Sequence, residues 1–452
     1  MPRRCRISSL FAIVWSPCDL RRSGCAKGYD FVLSGRPTIA IPFSGSSMTQ
    51  SQTHVLSGVR ILDFSRLLPG PWATQMLADL GADVIKVEQP VVGDYSRHNP
   101  PNYKDSGVYY NSVNSNKRSI TIDLANPEGQ AVAHKLMGSA DVIVESFRTG
   151  VAKKLDVHYE KARTINKGIV YCAITGYGQD GPLSRVPGHD LVIQSMTGLM
   201  GMSVDREPLP PVPGFQAADY AGGAVAPTAI LAGLMRKQQT GEGCFIDLSM
   251  FDSLFYMCNI VLTSGMSRLS GHSGEPAMQP WGGNPRYATY LCGDGKPVAV
   301  SLLEAVQWQQ FCNFIERPDL IDENEGPEDR HTTHGDKAPI YKEAIESYCK
   351  AHSRDNLLVK MEAEQIPICA VFTPDEALAD ENVKQRGLVE YIDHPVDGRI
   401  PHLTNPLDRT GLTIDRRTPA PRLGQNNDDI LTELGYSASE RQEFLAKGVV
   451  PS

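Results

Sequence analysis

The sequence predicts an α/β protein, with a parallel sheet in a first large unit and a smaller α+β domain after it. Three observations carry this. From residue 58 short β-rich runs alternate with amphipathic segments. The intervals between those runs are helix-length, which calls for right-handed crossovers and a sheet covered on both faces. After the Pro/Gly/Ser-rich stretch 266–285 the texture changes to a hairpin followed by helices.

Taken in order, residues 58–64 (GVRILDF) read as a strand, 71–80 as a helix with proline in its first turn, where the missing N–H costs nothing, and 83–87 as the next strand. A helix over 127–137 and strands over 141–145 and 168–174 follow. Further helices fall at about 190–200, 220–237 and 249–265, with a strand at 244–247 between the last two. Residues 286–291 and 297–301, joined by Cys-Gly-Asp-Gly-Lys, form a hairpin, and helices lie near 303–315, 337–351 and 355–363. The tail from Gly398 is Pro-rich and extended before helices near 427–434 and 438–446. No internal repeat or low-complexity tract is evident. The expected boundaries are 1–50, a basic leader or over-extended start without a fixed fold; 51–268, the first part of the large domain; 269–392, the small domain; and 393–452, a C-terminal segment.

With 452 residues, 41% hydrophobic and 21% charged, the chain has the composition of an ordinary globular protein long enough for two domains. The net charge of −8 hides an asymmetry, because residues 1–47 hold seven Arg/Lys against two acids and so leave −13 for the rest. An acidic body argues against general nucleic-acid binding. The ten cysteines show no CxxC or CxH spacing, so neither a zinc site nor a disulfide framework is suggested, and they fit buried thiols in a reducing compartment. No apolar run reaches the roughly 18–20 residues of a membrane helix; the best stretch, 224–234, contains Pro227. The Arg-rich, acid-poor leader reads either as an organelle transit peptide or as the product of a start upstream of Met48. The expected location is the cytoplasm, or the mitochondrion if the leader is a transit peptide.

Gly176-Tyr-Gly178-Gln-Asp-Gly181 fits G-x-G-x-x-G after a strand, yet Pro182 to Pro187 continues as loop where a dinucleotide site needs a helix opening on the glycines. Phosphate could instead meet basic positions at strand ends: Arg97, Lys117-Arg118, Arg148 and Lys153-Lys154. For each of these alone a solvated surface charge is the simpler reading. Two segments carry the best candidates for chemistry. Gly188-His189-Asp190 precedes one helix and Asp219-Tyr220-Ala221-Gly222-Gly223 opens another. A carboxylate and an imidazole at helix mouths suit a nucleophile and a base. The plainer readings are an N-cap for Asp219, a loop or cap histidine for His189 and a solvated first-turn residue for Glu304. Gly222 and Gly223 remove side chains beside Asp219, leaving room for a ligand.

The segments GVRILDFSRLLPGPWATQMLADLGADVIKVEQP (58–90), NSNKRSITIDL (114–124), ADVIVESFRTG (140–150), YCAITGYGQDGP (171–182), GHDLVIQSMTGLM (188–200), ADYAGG (218–223) and TGEGCFIDLSM (240–250), in this order, resemble the family III CoA-transferases of the CaiB/BaiF type, which include the α-methylacyl-CoA racemases. The resemblance runs from about residue 56 to the C-terminus. It implies a Rossmann-like large domain to which the C-terminal segment returns, two subunits interlocked as rings, and CoA thioesters as substrates with no permanently bound cofactor and no metal. The partners it implies are an acyl-CoA and a carboxylic acid, with neither nucleic acid nor membrane. Asp219 falls on the family nucleophile, which forms a mixed anhydride and then an aspartyl-CoA thioester. His189 and Glu304 fall on positions that racemases use with the same aspartate to move an α-proton. Racemases continue the GHD motif with Asn-Tyr, whereas Leu191-Val192-Ile193-Gln194 follows here, as in many transferases. The resemblance therefore favours CoA transfer, with racemisation as the alternative and a non-catalytic CoA-binding protein as a third reading. CoA contacts carry over to Arg66, Leu67, Leu68, Ile122, Asp123, Leu124 (as a strand), Ser146, Phe147, Arg148 and Lys154, with Gln89 where arginine is frequent. Gly282 and Gly283, in Trp281-Gly282-Gly283-Asn284, correspond to a loop that stabilises oxyanions.

Overall fold

The computed structural model describes residues 54–203, 209–275, 277–279, 282–415 and 417–451. The basic leader and Trp281 of the glycine loop lie outside the described residues. Six strands, β1 (Arg60–Asp63), β2 (Asp83–Glu88), β3 (Lys117–Thr121), β4 (Val142–Glu145), β5 (Val170–Thr175) and β6 (Cys244–Ser249), form one parallel sheet in the order β3-β2-β1-β4-β5-β6. The chain steps outward from β1 to β3, returns to β4 beside β1, and steps outward the other way. That reversal opens a crevice at the carboxyl ends of β1 and β4, where ligands of such sheets sit.

The threaded helices are α1 (Pro69–Asp79), α2 (Val108–Asn114), α3 (Pro127–Ser139), α4 (Val151–Lys154), α5 (Tyr159–Ile165), α6 (Asp190–Met196) and α7 (Ala217–Thr240), followed by α8 (Met250–Met257) and α9 (Thr263–Leu269). Alternation along the strands sorts two cores. Ile61, Val84, Val142, Val144, Val170 and Cys172 face α1, α7 and α8, while Leu62, Ile85, Ile120, Ile143 and Tyr171 face α3 on the other side. Glycines set how closely the first layer packs. A Cβ on Gly223 would lie 2.8 Å from Trp72 Cε3 on α1, and one on Gly222 would lie 2.9 Å from Met250 Cγ on α8. These glycines bring helices together and do not leave room for a ligand, contrary to the sequence expectation.

A separate core, with Trp308, Phe311, Tyr341, Ile345, Leu357 and Met361 fully or nearly fully buried, lies on an antiparallel sheet of β7 (Tyr287–Leu291), β8 (Pro297–Ser301) and β9 (Ile368–Ala370), with α10 (Ala305–Phe314), α11 (Ala338–Lys350) and α12 (Arg354–Ala363). Helices α13 (Pro374–Ala379) and α14 (Glu381–Gln385) lead to β10 (Val389–His394), which pairs antiparallel with β11 (Gly398–Leu403). The stretch after Gly398 thus begins as the second arm of a hairpin, not as extended tail.

The chain then returns to the large sheet. Asn405 Nδ2 and Arg417 each reach Asp79 at the end of α1, at 2.9 and 2.8 Å. Helices α15 (Asn427–Glu433) and α16 (Ala438–Ala446) place Ile430, Leu431, Val449 and Val450 in the core beside α3. Asn426 Oδ1 and Asn427 Oδ1 accept the Ser119 and Thr121 amides at 3.0 and 2.9 Å, so side chains occupy the outer edge of β3.

Other departures have local causes. The helix expected over 249–265 is two helices, and between them the Asn259 side chain accepts the amide of Ile260, competing with the helical ladder. Strand β3 hid behind its charges, because Lys117 is buried there against a carboxylate. Residues Ile122, Asp123 and Leu124, expected as a strand, follow its end. Helix α7 continues through Pro227, and no helix among the described residues is long and apolar enough to cross a membrane.

Candidate active site

At the carboxyl end of β1 a buried set of charges shapes the turn into α1. Asp63 accepts hydrogen bonds from the Ser65 amide at 2.9 Å, from Thr74 Oγ1 at 2.6 Å and from the Ser65 hydroxyl, and pairs with Lys117 at 3.0 Å. Burial alone would raise its pKa, but the Lys117 and Lys86 cations outweigh burial and hold the carboxyl well below the usual carboxylate range. Lys86 bonds the Ser65 carbonyl and pairs with Asp94, both at 2.9 Å. Asp94 in turn accepts the amide of Leu67 at 3.0 Å, and this residue takes the left-handed φ of +67°. A non-glycine residue is strained there, and the buried pair holds it in place.

A cavity of about 210 Å³ opens above these strand ends, lined among others by Arg66, Gln89, Ile122, Asp123, Leu124, Phe147 and Leu155. Five of the expected CoA contacts therefore line one space. Leu67, Leu68, Ser146, Arg148 and Lys154 are not among its walls. Ser146 instead accepts the Arg66 amide at 3.1 Å, and Leu68 is buried at the mouth of α1. Burial pushes the Glu145 carboxyl up to about 8, and it accepts the Phe147 amide at 2.6 Å, fixing the turn that carries Ser146, Phe147 and Arg148. Three of the basic positions are occupied elsewhere: Lys117 by Asp63, Arg118 by Asp83 and Glu433, and Arg97 by Glu88 at 2.7 Å. Arg148, Lys153 and Lys154 are exposed and form no ion pair among the described residues. The Gly176–Gly181 loop turns through positive φ at Gly178 and Gly181, and no helix starts on it.

Helix α6 packs against α7. Gln216 occupies the N-cap position of α7 without a side-chain cap bond, and Asp219 is the third helical residue. The capping is done across the helix pair. Asp190 Oδ1 accepts the amides of Ala218 at 2.8 Å and Asp219 at 3.3 Å, while its Oδ2 is held by Gln194 Nε2 at 2.6 Å. Gln194 also donates to the Phe215 carbonyl at 2.9 Å. Relieved of the capping role, the Asp219 carboxylate accepts no hydrogen bond among the described residues. Burial, and then the Asp190 charge, push it up to about 6. Burial followed by the Asp219 charge raises the phenols of Tyr109 and Tyr220, so both hydroxyls lie within its field. Tyr220 stacks on Phe215 and meets Trp72 edge-on.

His189 is the N-cap residue of α6, exposed, with no side-chain bond among the described residues. It adjoins Asp190, whose carboxylate reaches the first turn of α7, where Asp219 lies. Glu304 caps α10 in a reciprocal box with Gln307 and pairs with Arg330 at 2.6 Å. Gly282 turns through φ +82°, and Asn284 Nδ2 donates to the Arg330 carbonyl at 3.1 Å. No described hydrogen bond, ion pair or ring contact joins Glu304 or Gly282 and Gly283 to Asp219. No group of three or more His, Cys, Asp or Glu that could hold a metal occurs among the described residues. Sequence reasoning missed Asp190 as the cap and the aromatic residues Trp72, Tyr109 and Phe215. Asp190 stood in the GHD motif, but the helix it caps begins 27 residues later and only the fold reveals the pairing.

The sequence model of the family described as CoA-transferase family III matches residues 56–427. A succinate–glutarate CoA-transferase of Agrobacterium fabrum is 32% identical over 84% of this chain and 95% of its own length. The succinyl-CoA:glutarate CoA-transferase of Homo sapiens is 32% identical over 87% of this chain and 90% of its own. A formyl-CoA:oxalate CoA-transferase of Streptomyces avermitilis is 29% identical over 88% of this chain and 100% of its own. A solved CaiB/BaiF family protein from Brucella suis superposes with a TM-score of 0.73 at 29% identity, covering 85% of this chain and 100% of that one.

Proposed function

This chain belongs to the CoA-transferase family III and is a CoA-transferase, and from that premise we propose that Asp219 is the nucleophile that carries CoA from an acyl-CoA to a carboxylic acid. The observation that carries the reading is the free, half-buried Asp219 carboxylate at the mouth of α7, with its capping duty transferred to Asp190. A carboxylate spent on the helix amides would be a poor nucleophile, and one open to bulk water would lose its acyl intermediate to hydrolysis. With its pKa raised to about 6 it is more basic than an ordinary aspartate.

The steps balance as follows. An Asp219 oxygen attacks the thioester carbonyl, and the C–S bond breaks to give a mixed anhydride and CoA thiolate. The thiolate attacks the aspartyl carbonyl, releasing the donor carboxylate and leaving an aspartyl-CoA thioester. The acceptor carboxylate attacks that thioester to form a second anhydride and free the thiolate. Attack of the thiolate on the acceptor's acyl carbon gives the new acyl-CoA and restores Asp219. Water would intercept either anhydride, and the Trp72, Tyr109 and Tyr220 surroundings reduce its access.

The cavity over β1 to β4 suits the nucleotide end of CoA, with Arg66 at its wall and exposed Arg148 and Lys154 nearby in sequence for the phosphates. Glutarate and succinate are the first carboxylates to assay, given the names of the relatives. Exposed apolar side chains around α8 and α9, including Phe255, Tyr256, Ile260 and Leu269, support an interlocked pair of subunits. Seven free cysteines and the lack of a membrane-length helix among the described residues support a cytoplasmic place of work.

Incubation with the acyl-CoA substrate followed by hydroxylamine or borohydride should modify Asp219, and Asp219→Ala should lower transfer at least a thousandfold. Undiminished transfer in that variant would remove Asp219 from the reaction. Racemisation, the reading left by His189 at the start of α6 beside Asp190, would be recognised by deuterium uptake at the α-carbon of a 2-methylacyl-CoA, lost in His189→Ala.

A further inference from the structure

We propose that Phe215 selects the carbon skeleton of the transferred acid, admitting unbranched chains and disfavouring branched ones; this rests on the reading of Asp219 as nucleophile. Phe215 is 57% exposed, an unusual setting for a phenylalanine ring. Its position is nevertheless fixed twice. Its carbonyl accepts the Nε2 of Gln194, whose side chain is buried, and its ring lies flat on Tyr220 with centroids 4.8 Å apart and planes within 1°. Tyr220 follows Asp219 directly and meets the edge of Trp72 at 5.0 Å and 85°. Trp72, Tyr220 and Phe215 thus form a continuous aromatic wall, and Phe215 is its most exposed ring.

An acyl carbon about 3–3.5 Å from the attacking Asp219 oxygen would, on this proposal, run its next carbons past the Tyr220–Phe215 stack that begins one residue after Asp219. A flat aromatic wall gains dispersion contact with an extended methylene chain, while a methyl branch lifts that chain off the ring. In an enclosed hydrophobic pocket one methylene alters selectivity roughly 10- to 200-fold, and the open Phe215 ring is expected to act at the lower end of that range. The same Gln194 amide that steadies Asp190 also steadies the Phe215 backbone, so the nucleophile's helix and the wall share one support.

The experiment is isotope self-exchange, which needs a single acid: labelled glutarate entering glutaryl-CoA, compared with labelled 3-methylglutarate entering 3-methylglutaryl-CoA. The wild type should favour the unbranched pair in kcat/KM. In Phe215→Ala that preference should fall at least tenfold, with the branched rate rising, while Phe215→Tyr, which keeps the ring, should stay within threefold of wild type. A preference unchanged within twofold in Phe215→Ala, with its melting temperature intact, overturns the proposal. Exchange persisting in Asp219→Asn would instead overturn the reading of the nucleophile, and the two failures are read from different variants.

Discussion

Asp190 and Asp219 show how two like charges at one helix mouth divide the work. The first satisfies the amides at the N-terminus of α7, and the second's oxygens accept no hydrogen bond among the described residues, which leaves them available for the proposed attack. Burial is the larger cause of the raised Asp219 pKa and Asp190 the smaller. The sign of Asp190→Asn follows: an uncharged cap makes ionisation of Asp219 easier, so its pKa falls below about 6. The acid limb of kcat/KM should move to lower pH, with the relative rate at pH 5 rising roughly two- to threefold. Asp190→Ala should in addition lose the cap at a cost of about 1 kcal/mol, read as a lower melting temperature. Asp219 was legible in sequence as a carboxylate beside glycines at a helix start. Its freedom from capping was not, because a side chain from another helix supplies the cap.

The elements were legible wherever local pattern and burial agreed. β1, β2 and β4 are apolar runs separated by helix-length segments, and each was placed to within a few residues. β3 was not, because KRSIT reads as surface while the fold buries Lys117 against Asp63. Charge burial of this kind depends on a partner 54 residues away and leaves no periodic trace. Gly223 was visible, but its meaning was reversed. Gly223→Ala would put a methyl carbon 2.8 Å from Trp72 and 3.1 Å from the Pro69 carbonyl, forcing α1 and α7 apart. The expected outcome is a loss of about 1–3 kcal/mol in denaturant unfolding, accompanied by reduced transfer because the displaced helix carries Asp219.

Over the molecule as a whole, the last residues complete what the first strands begin. Asn426 and Asn427 occupy the outer edge of β3, Asp123 donates its amide to the Val449 carbonyl at 3.0 Å, and Val449 and Val450 enter the core beside α3. Deleting residues 426–452 should therefore leave β3 open to pairing with other chains, seen as high-molecular-weight species in size-exclusion chromatography and weakened CoA binding. The alternation that announced a parallel sheet could not show that its edge is closed by residues from the other end of the chain.

That closure also has a consequence in time. Ser119 and its partner Asn426 are 307 residues apart, an interval that takes on the order of 15–60 s to translate at about 5–20 residues per second. Throughout that interval the side chains that close the β3 edge have not yet been made, so any sheet that forms on the nascent chain before them carries an open edge.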